Sequence, residues 1–368
     1  MLAAKLDRIT IFSIRESAVP SEEYRINNCH ILIKFLSPKF LEIGDSKKQR
    51  YYVKQKGAFP VIPGIIEKLL NGKEIYNELK KLYREVPYDY VHLLDNFGFG
   101  NRLIVKVPSP VSVSAMSYQG KGIIYNNYLR LSYKVPNLKI IPYSYTYAKK
   151  MEQLGIHKDS LRCIKWGVNL HNQKQQLENR KKIAVSLSLP SEKPLFVWAG
   201  YIQQIQKKDF LYAIKVAKKA LSNGINCAFF FAFKHEDKKC FSLNDPEKGI
   251  FIKKTSVDEF DLLKQIADVF YSPIVNRKCI VAPPLTWIEF LSLGVPILST
   301  NAGGVDEIVI DGKTGYIATS DDELLEKMFT ITEKYSVMSS YCYDKVFTSY
   351  NIATAAKEYL DLWYSGEH

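Results

Sequence analysis

In the second half of the chain short apolar runs alternate with amphipathic stretches, and no other feature of the sequence narrows the fold so far. Pro194 to Gly200, Asn226 to Phe233, Gly249 to Lys253, Asp268 to Ser272 and Ile297 to Thr300 each read as a strand. Near-continuous apolar runs of this kind suit strands covered on both faces. Helical stretches lie between them, at about Lys208 to Leu221, Ser256 to Ala267 and Thr286 to Leu293. Ser256-Val257-Asp258-Glu259 has the spacing of a capping box, while Gly294 and Pro296 stop the helix before them. Asp311-Gly312 reads as a turn, and Ser320-Asp321-Asp322-Glu323 as the capping box of a further helix. Strand and helix in alternation build parallel βαβ units, so this half is expected to form a doubly wound α/β domain.

The first half repeats the grammar less clearly, with strands expected at Arg8 to Ser13, His30 to Leu36, Tyr88 to Leu94, Arg102 to Val107 and Leu138 to Pro142. Ser144 stands where a helix N-cap belongs and Gly155 where that helix ends. A polar stretch rich in Gln, Asn and charge, about Leu170 to Lys182, breaks the alternation and reads as a linker. The expected organisation is therefore a domain over 1–170, a linker over 171–182, a second domain over 183–349 and a last helical segment over 350–368. A length of 368 residues suits two such units. Ligands of open parallel sheets bind beyond the carboxyl ends of the strands, which predicts a cleft lined by the loops that follow them.

Charge separates the halves. Residues 1–180 hold 29 Lys+Arg against 15 Asp+Glu, a balance of +14, while 181–368 hold 22 against 23. A basic half beside a neutral one points to different partners, the basic one facing something anionic such as a membrane surface or a phosphorylated ligand. Nucleic acid is disfavoured, because the basic half carries no helix-turn-helix, RNP-like motif or basic helix. The longest purely apolar run, Cys227 to Phe233, is far short of the ~20 residues that span a bilayer. The six cysteines are scattered without a CxxC pair, which argues against a disulfide framework or zinc site and suits reduced thiols in a cytoplasmic chain.

Backbone chemistry shows where a phosphate can sit. A helix N-terminus presents free N–H groups and partial positive charge. Ala282-Pro283-Pro284-Leu285-Thr286-Trp287-Ile288-Glu289 leads into such a terminus; the prolines donate nothing, so Leu285, Thr286 and Trp287 would supply the amides. Lys207 and Lys208, just beyond the strand ending at Gly200, bring cations from the neighbouring loop. Glu289, one turn inside the helix, can accept two hydrogen bonds from a vicinal diol such as a ribose. The spacing Thr286-x-x-Glu289 is equally that of a capping box, which would make Glu289 a purely local residue.

The run from Trp287 through Gly294-Val295-Pro296-Ile297-Leu298-Ser299-Thr300, followed by Gly303-Gly304-Val305-Asp306-Glu307 and Asp311-Gly312-Lys313-Thr314-Gly315, resembles retaining GT-B glycosyltransferases of family 4. Tyr143-Ser144, Gly155, Gly167-Val168-Asn169, Gly200 with Lys207/Lys208, Ala267-Asp268 and the segment Tyr350 to Tyr364 fall in the same order as in that family. The resemblance implies two Rossmann-like domains facing across a cleft, the first binding the acceptor and the second a UDP- or GDP-linked sugar, with the last helix packing back toward the first domain. It implies donor contacts from Gly200, Lys207, Lys208, Leu285, Thr286 and Glu289. The lysines and helix end stand in for a metal, so no metal cofactor is expected. The implied acceptor is a glycan or lipid-linked carbohydrate, in polysaccharide or glycoconjugate assembly at the inner face of a membrane.

Three positions depart from the family's pattern. Val281 stands where the first glutamate of Glu-x7-Glu belongs, and Tyr201 where an arginine often follows the first strand's glycine, with Arg277 and Lys278 as substitute cations. Val113-Ser114-Ala115-Met116 lacks the family's histidine, leaving His92 and Asp95 as the nearest catalytic candidates. These departures equally fit a second reading, a non-catalytic relative that binds a nucleotide-sugar or glycan. Residues 2–13 resemble the end of the family's first helix running into its second strand, which would leave the first strand absent. In the alternative, Arg8 to Ser13 is itself the central first strand.

Overall fold

A computed structural model describes residues 8–14, 22–26, 29–36, 61–94, 98–115, 123–169, 174–200, 206–234, 238–275 and 282–364. The chain divides into unit 1, Met1–Ile164 with Ala355–His368, and unit 2, Lys165–Thr354.

Unit 1 contains strands β1 (Arg8–Ile14), β2 (Glu22–Ile26), β3 (Cys29–Leu36), β4 (Val91–Leu93), β5 (Val111–Ala115) and β6 (Leu138–Pro142). They form two three-stranded sheets, β1-β3-β2 and β4-β5-β6. The second is wholly parallel, whereas β2 runs antiparallel to β3. The longer helices of its first segment among the described residues are α1 (Val61–Glu85), α2 (Ile123–Tyr133) and α3 (Tyr145–Gln153). Ser144 caps α3, its hydroxyl accepting from the Tyr147 amide at 3.0 Å, and Gly155 follows it at φ +83°.

Several expectations for this half are corrected. Arg102 to Val107 is a helical turn at Asn101–Ile104 followed by further turns, because the wholly buried Asn101 side chain donates to the Ser132 carbonyl and Ile104 and Val107 turn to one buried face. The strand expected over Tyr88 to Leu94 is confined to Val91–Leu93, since Tyr88 bonds the Leu79 carbonyl through its hydroxyl and Ser109 through its carbonyl. Among the described residues Arg8–Ile14 pairs with β3 alone, in parallel.

Unit 2 starts earlier than expected. The Val168 amide donates to the Tyr350 carbonyl at 2.9 Å, and the Ile352 amide to the Val168 carbonyl at 3.1 Å, which ties the segment from Lys165 into this unit. The supposed linker 171–182 is helical from Lys174, in α4 (Lys174–Ser186). Arg180 anchors it by a two-pronged ion pair with the buried Asp268, at 2.6 and 2.5 Å, and Ile183 and Ala184 bury on the sheet.

Six parallel strands then build one sheet in the order β12-β11-β10-β7-β8-β9: β7 (Leu195–Gly200), β8 (Ala228–Phe233), β9 (Ile250–Lys254), β10 (Val269–Ser272), β11 (Ile297–Thr300) and β12 (Gly315–Ala318). Successive residues of β8 enter different cores. Ala228, Phe230 and Ala232 face α4, α6 (Val257–Ile266) and α7 (Leu285–Ser292), whereas Phe229, Phe231 and Phe233 face α5 (Gln206–Ser222) and α8 (Asp321–Ser349). A sheet covered on both faces explains why its strands read as unbroken apolar runs. The Ser256 capping box forms on α6. At α8 the reciprocal bond shifts by one residue: Ser320 accepts from the Glu323 amide, but the Glu323 carboxylate accepts from the Thr319 amide and hydroxyl.

The last helix, α9 (Ile352–Tyr364), carries the chain back into unit 1 from Ala355, where Leu362 packs with Ile141 and Ile164. Among the described residues, no helix is long and apolar enough to cross a membrane.

Candidate functional site

The order of the six-stranded sheet fixes where a ligand can bind. From β7 the chain builds β8 and β9 on one side, then returns to build β10, β11 and β12 on the other. The strand order therefore reverses between β7 and β10, and ligands of such sheets usually bind beyond the carboxyl ends of the strands at that point, where one segment follows each strand. One of these segments leads to α5 and the other to α7.

The exit of β10 is held from two sides. The buried Thr300 hydroxyl donates to the Ile274 carbonyl and accepts from the Ile274 amide, both at 2.7 Å. The Asp209 carboxylate accepts from the Val275 amide at 2.7 Å. Asp209 lies in the first turn of α5, so this bond ties the turn carrying half-buried Lys207 and exposed Lys208 to the segment that leads into α7.

At α7 itself the capping residue is Pro284, extended at φ −60° and ψ 144°, with no side-chain cap. The Trp287 amide donates to the Pro284 carbonyl at 2.9 Å, so two amides of the first turn, Leu285 and Thr286, point out of the helix rather than the three expected. Thr286 lies inside the helix, and the capping box Thr286-x-x-Glu289 is not formed. Trp287, Ile288, Phe290 and Leu291 are buried, which fixes the helix against the sheet and leaves the opposite face more open. Glu289 follows Leu285 by four residues and Thr286 by three, so its side chain lies on the same side of the helix as theirs. Its side chain keeps 31% of its exposure, and one oxygen, Oε2, lies 3.4 Å from Lys264 Nζ.

Gly200 ends β7 where a side chain would run into the Trp198 ring. That ring packs among Phe210, Phe231 and Phe233, so glycine at 200 is required by packing alone, whatever else approaches it. Val281, Tyr201, Arg277, Lys278 and Asp95 lie outside the described residues. No group of three or more His, Cys, Asp or Glu able to hold a metal occurs among the described residues.

His92 belongs to unit 1 and to a different environment. Both ring nitrogens are engaged, Nδ1 with Ser112 Oγ at 2.7 Å and Nε2 with Ser114 Oγ at 3.0 Å. Tyr359 and Trp363 of α9 cover it, with ring centroids 5.2 and 5.9 Å away. Burial pushes its pKa down to about 4. The imidazole is neutral and its two nitrogens are spent on serines, the state of a satisfied packing residue rather than a poised general base.

Two residues that shape the site carry no signal in the sequence read alone. Asp209 looks like an ordinary acid in a first helical turn, and nothing in its spacing relates it to residue 275. Lys264 looks like a solvated residue of an amphipathic helix, twenty-five positions from its partner Glu289.

Comparison with known proteins agrees with this architecture. The chain has the α/β fold, with parallel sheets, of the GT-B glycosyltransferases. Sucrose-phosphate synthase from Thermosynechococcus elongatus superposes with a TM-score of 0.69 at 12% identity, over 99% of this chain and 90% of that one. HepE of Anabaena, solved in complex with UDP, superposes with a TM-score of 0.65 at 11% identity, over 78% of this chain and 81% of that one. Residues 179–335, within unit 2, match the family described as Glycosyl transferases group 1 and form a domain of that type. A probable sucrose-phosphate synthase from Thermosipho melanesiensis is 26% identical over 167 residues, 42% of this chain and 38% of that protein. A sucrose synthase from Denitrovibrio acetiphilus is 34% identical over 80 residues, 19% of this chain and 10% of that protein. The chain thus aligns with well under half the length of these curated relatives.

Proposed function

We propose that unit 2 binds a nucleoside diphosphate sugar, UDP- or GDP-linked, and that the chain transfers its hexosyl group to a glycan or lipid-linked acceptor with retention of anomeric configuration. The observation that carries this reading is the start of α7, where the Leu285 and Thr286 amides have no acceptor among the described residues and the half-exposed Glu289 carboxylate follows one turn inside. A diphosphate leaves as an anion. Helix amides and Lys207 or Lys208 stabilise that developing charge, and Glu289 receives the ribose hydroxyls. The HepE complexes with UDP and with UDP-glucose support a nucleotide sugar as ligand. Unit 1 is the acceptor side in this reading. Its described surface includes exposed Lys73, Lys80, Lys81 and Arg84 along α1, which suits docking on an anionic membrane at the cytoplasmic face, in polysaccharide or glycoconjugate assembly.

The test is a donor screen by ligand-induced thermal stabilisation, followed by incubation of the stabilising donor with glycan and lipid-linked acceptors and assignment of the product anomer by NMR. Stabilisation by a UDP- or GDP-sugar and a product of unchanged anomeric configuration are expected. Binding without turnover on any acceptor would favour the non-catalytic reading, and no stabilisation by any nucleotide sugar would contradict the proposal.

A further inference from the structure

Glu289 and Lys264 meet because two aromatic contacts dock their helices. Phe260 of α6 meets Phe290 of α7 edge-on at 6.1 Å, and Phe290 stacks on Phe270 of β10 at 4.3 Å. Lys264 is thereby largely covered, its side chain keeping 13% of its exposure. A lysine this covered is seldom found without a partner, and this one has two acidic ones. Its Nζ lies 2.8 Å from Asp261 Oδ1 on its own helix and 3.4 Å from Glu289 Oε2 across the gap, and sits 5.4 Å above the Phe260 ring. Asp261 is the closer and more exposed carboxylate, so the ammonium is fixed on α6 first and then presented to Glu289.

We infer that Lys264 is the positioning residue for ribose recognition: it holds Glu289 oriented by Oε2, leaving Oε1, which has no hydrogen-bond partner among the described residues, to receive a vicinal diol. This rests on the nucleotide site proposed above. A carboxylate has about four lone-pair positions, of which the lysine takes one. Without the nearby ammonium, the carboxylate gains freedom about its side-chain torsions. The consequence falls on the sugar hydroxyls of the nucleotide and not on its phosphates, which are served by the α7 amides and the lysines of α5.

The experiment is calorimetric titration of UDP, 2′-deoxy-UDP, GDP and 2′-deoxy-GDP into the full chain and into Lys264→Met, Lys264→Gln and Lys264→Arg, each checked for an unchanged melting transition. A charge-assisted bond to a ribose hydroxyl predicts a preference for the ribonucleotide of roughly tenfold or more in the unaltered protein. Either neutral variant should cut that preference to about threefold or less by weakening the ribonucleotide alone, with Lys264→Arg restoring most of it. Equal weakening of both nucleotides, or an undiminished preference in both neutral variants, overturns the positioning role. An unaltered protein that binds UDP or GDP with no preference over the deoxy form also overturns it, while leaving the diphosphate site standing. An unaltered protein that binds neither nucleotide removes the site itself and the inference with it.

Discussion

Each unit carries a titratable group on an element of a parallel-sheet layer, His92 in β4 and Glu289 on α7, and the two are treated in opposite ways. In unit 1 the nitrogens of His92 are both committed to serines, and the last helix closes over the ring. In unit 2 Glu289 has one oxygen facing a lysine and the other without a described partner, beside two helix amides that point outward. The first arrangement consumes its hydrogen-bonding capacity within the fold. The second keeps capacity in reserve, and unspent capacity at the carboxyl edge of a sheet is what a polar ligand requires.

The greatest loss is expected in the scaffold of unit 2. Asp268, 4% exposed, receives both prongs of Arg180 and the Leu195 amide at 2.7 Å, all at the amino end of the unit 2 strands. Asp268→Ala leaves a half-buried guanidinium and a buried amide without their acceptor, and unit 2 should lose about 3–5 kcal/mol, read by urea denaturation. A loss below about 1 kcal/mol would show that Arg180 finds water instead.

The next effect is a pH dependence that only the closed site should show. The folded pKa of His92 is depressed to about 4 against an ordinary 6.5, so the unfolded chain binds the proton first as pH falls. Stability is fully present above about pH 6.5, declines between about 6.5 and 4, and falls no further from this group below that window. Relative to His92→Gln, the unaltered chain should lose on the order of 1–3 kcal/mol across it, while nucleotide affinity at neutral pH stays the same in both. Parallel pH profiles for the two proteins would contradict the buried, neutral histidine.

A smaller effect concerns local support. Ser144→Ala removes the hydroxyl that caps α3 and should cost about 1 kcal/mol of unit 1 stability without altering ligand binding by unit 2. The membrane proposal is sharpened by co-sedimentation with anionic and neutral vesicles at rising salt. Each basic residue at the surface is worth about 1 kcal/mol, screened over ~8–10 Å at physiological ionic strength, so binding should be confined to anionic vesicles and fall steeply with salt. Equal partitioning to both vesicle types would remove the electrostatic reading.

Legibility followed burial on two faces. The unit 2 strands announce themselves because neither face meets water, and α7 because Gly294 and Pro296 stop it. β5 carries little signal in the sequence because Ser112 and Ser114 alternate with its apolar residues and look like loop residues. Both serines are wholly buried because His92 supplies their partners, a pairing no local pattern reveals. The helix over Lys174–Ser186 was hidden by its polarity, since Arg180 reaches Asp268, eighty-eight residues away, and only its last turns bury apolar groups. The start of α7 at Leu285 could be read because helix starts have local grammar. Asp209, Thr300 and Lys264 could not, because each acts on a segment distant in sequence.

The central claim is that Glu289 is held for a ligand and not for its own helix. Calorimetric titration of UDP and GDP into the unaltered chain and into folded Glu289→Ala tests it most directly. Loss of charge-assisted hydrogen bonds worth about 1.5–3 kcal/mol predicts roughly ten- to a hundredfold weaker nucleotide binding, with only a small drop in melting temperature, because no capping box is lost and Lys264 keeps Asp261 when the 3.4 Å contact to Glu289 goes. Nucleotide affinity that is unaltered in Glu289→Ala would contradict the account.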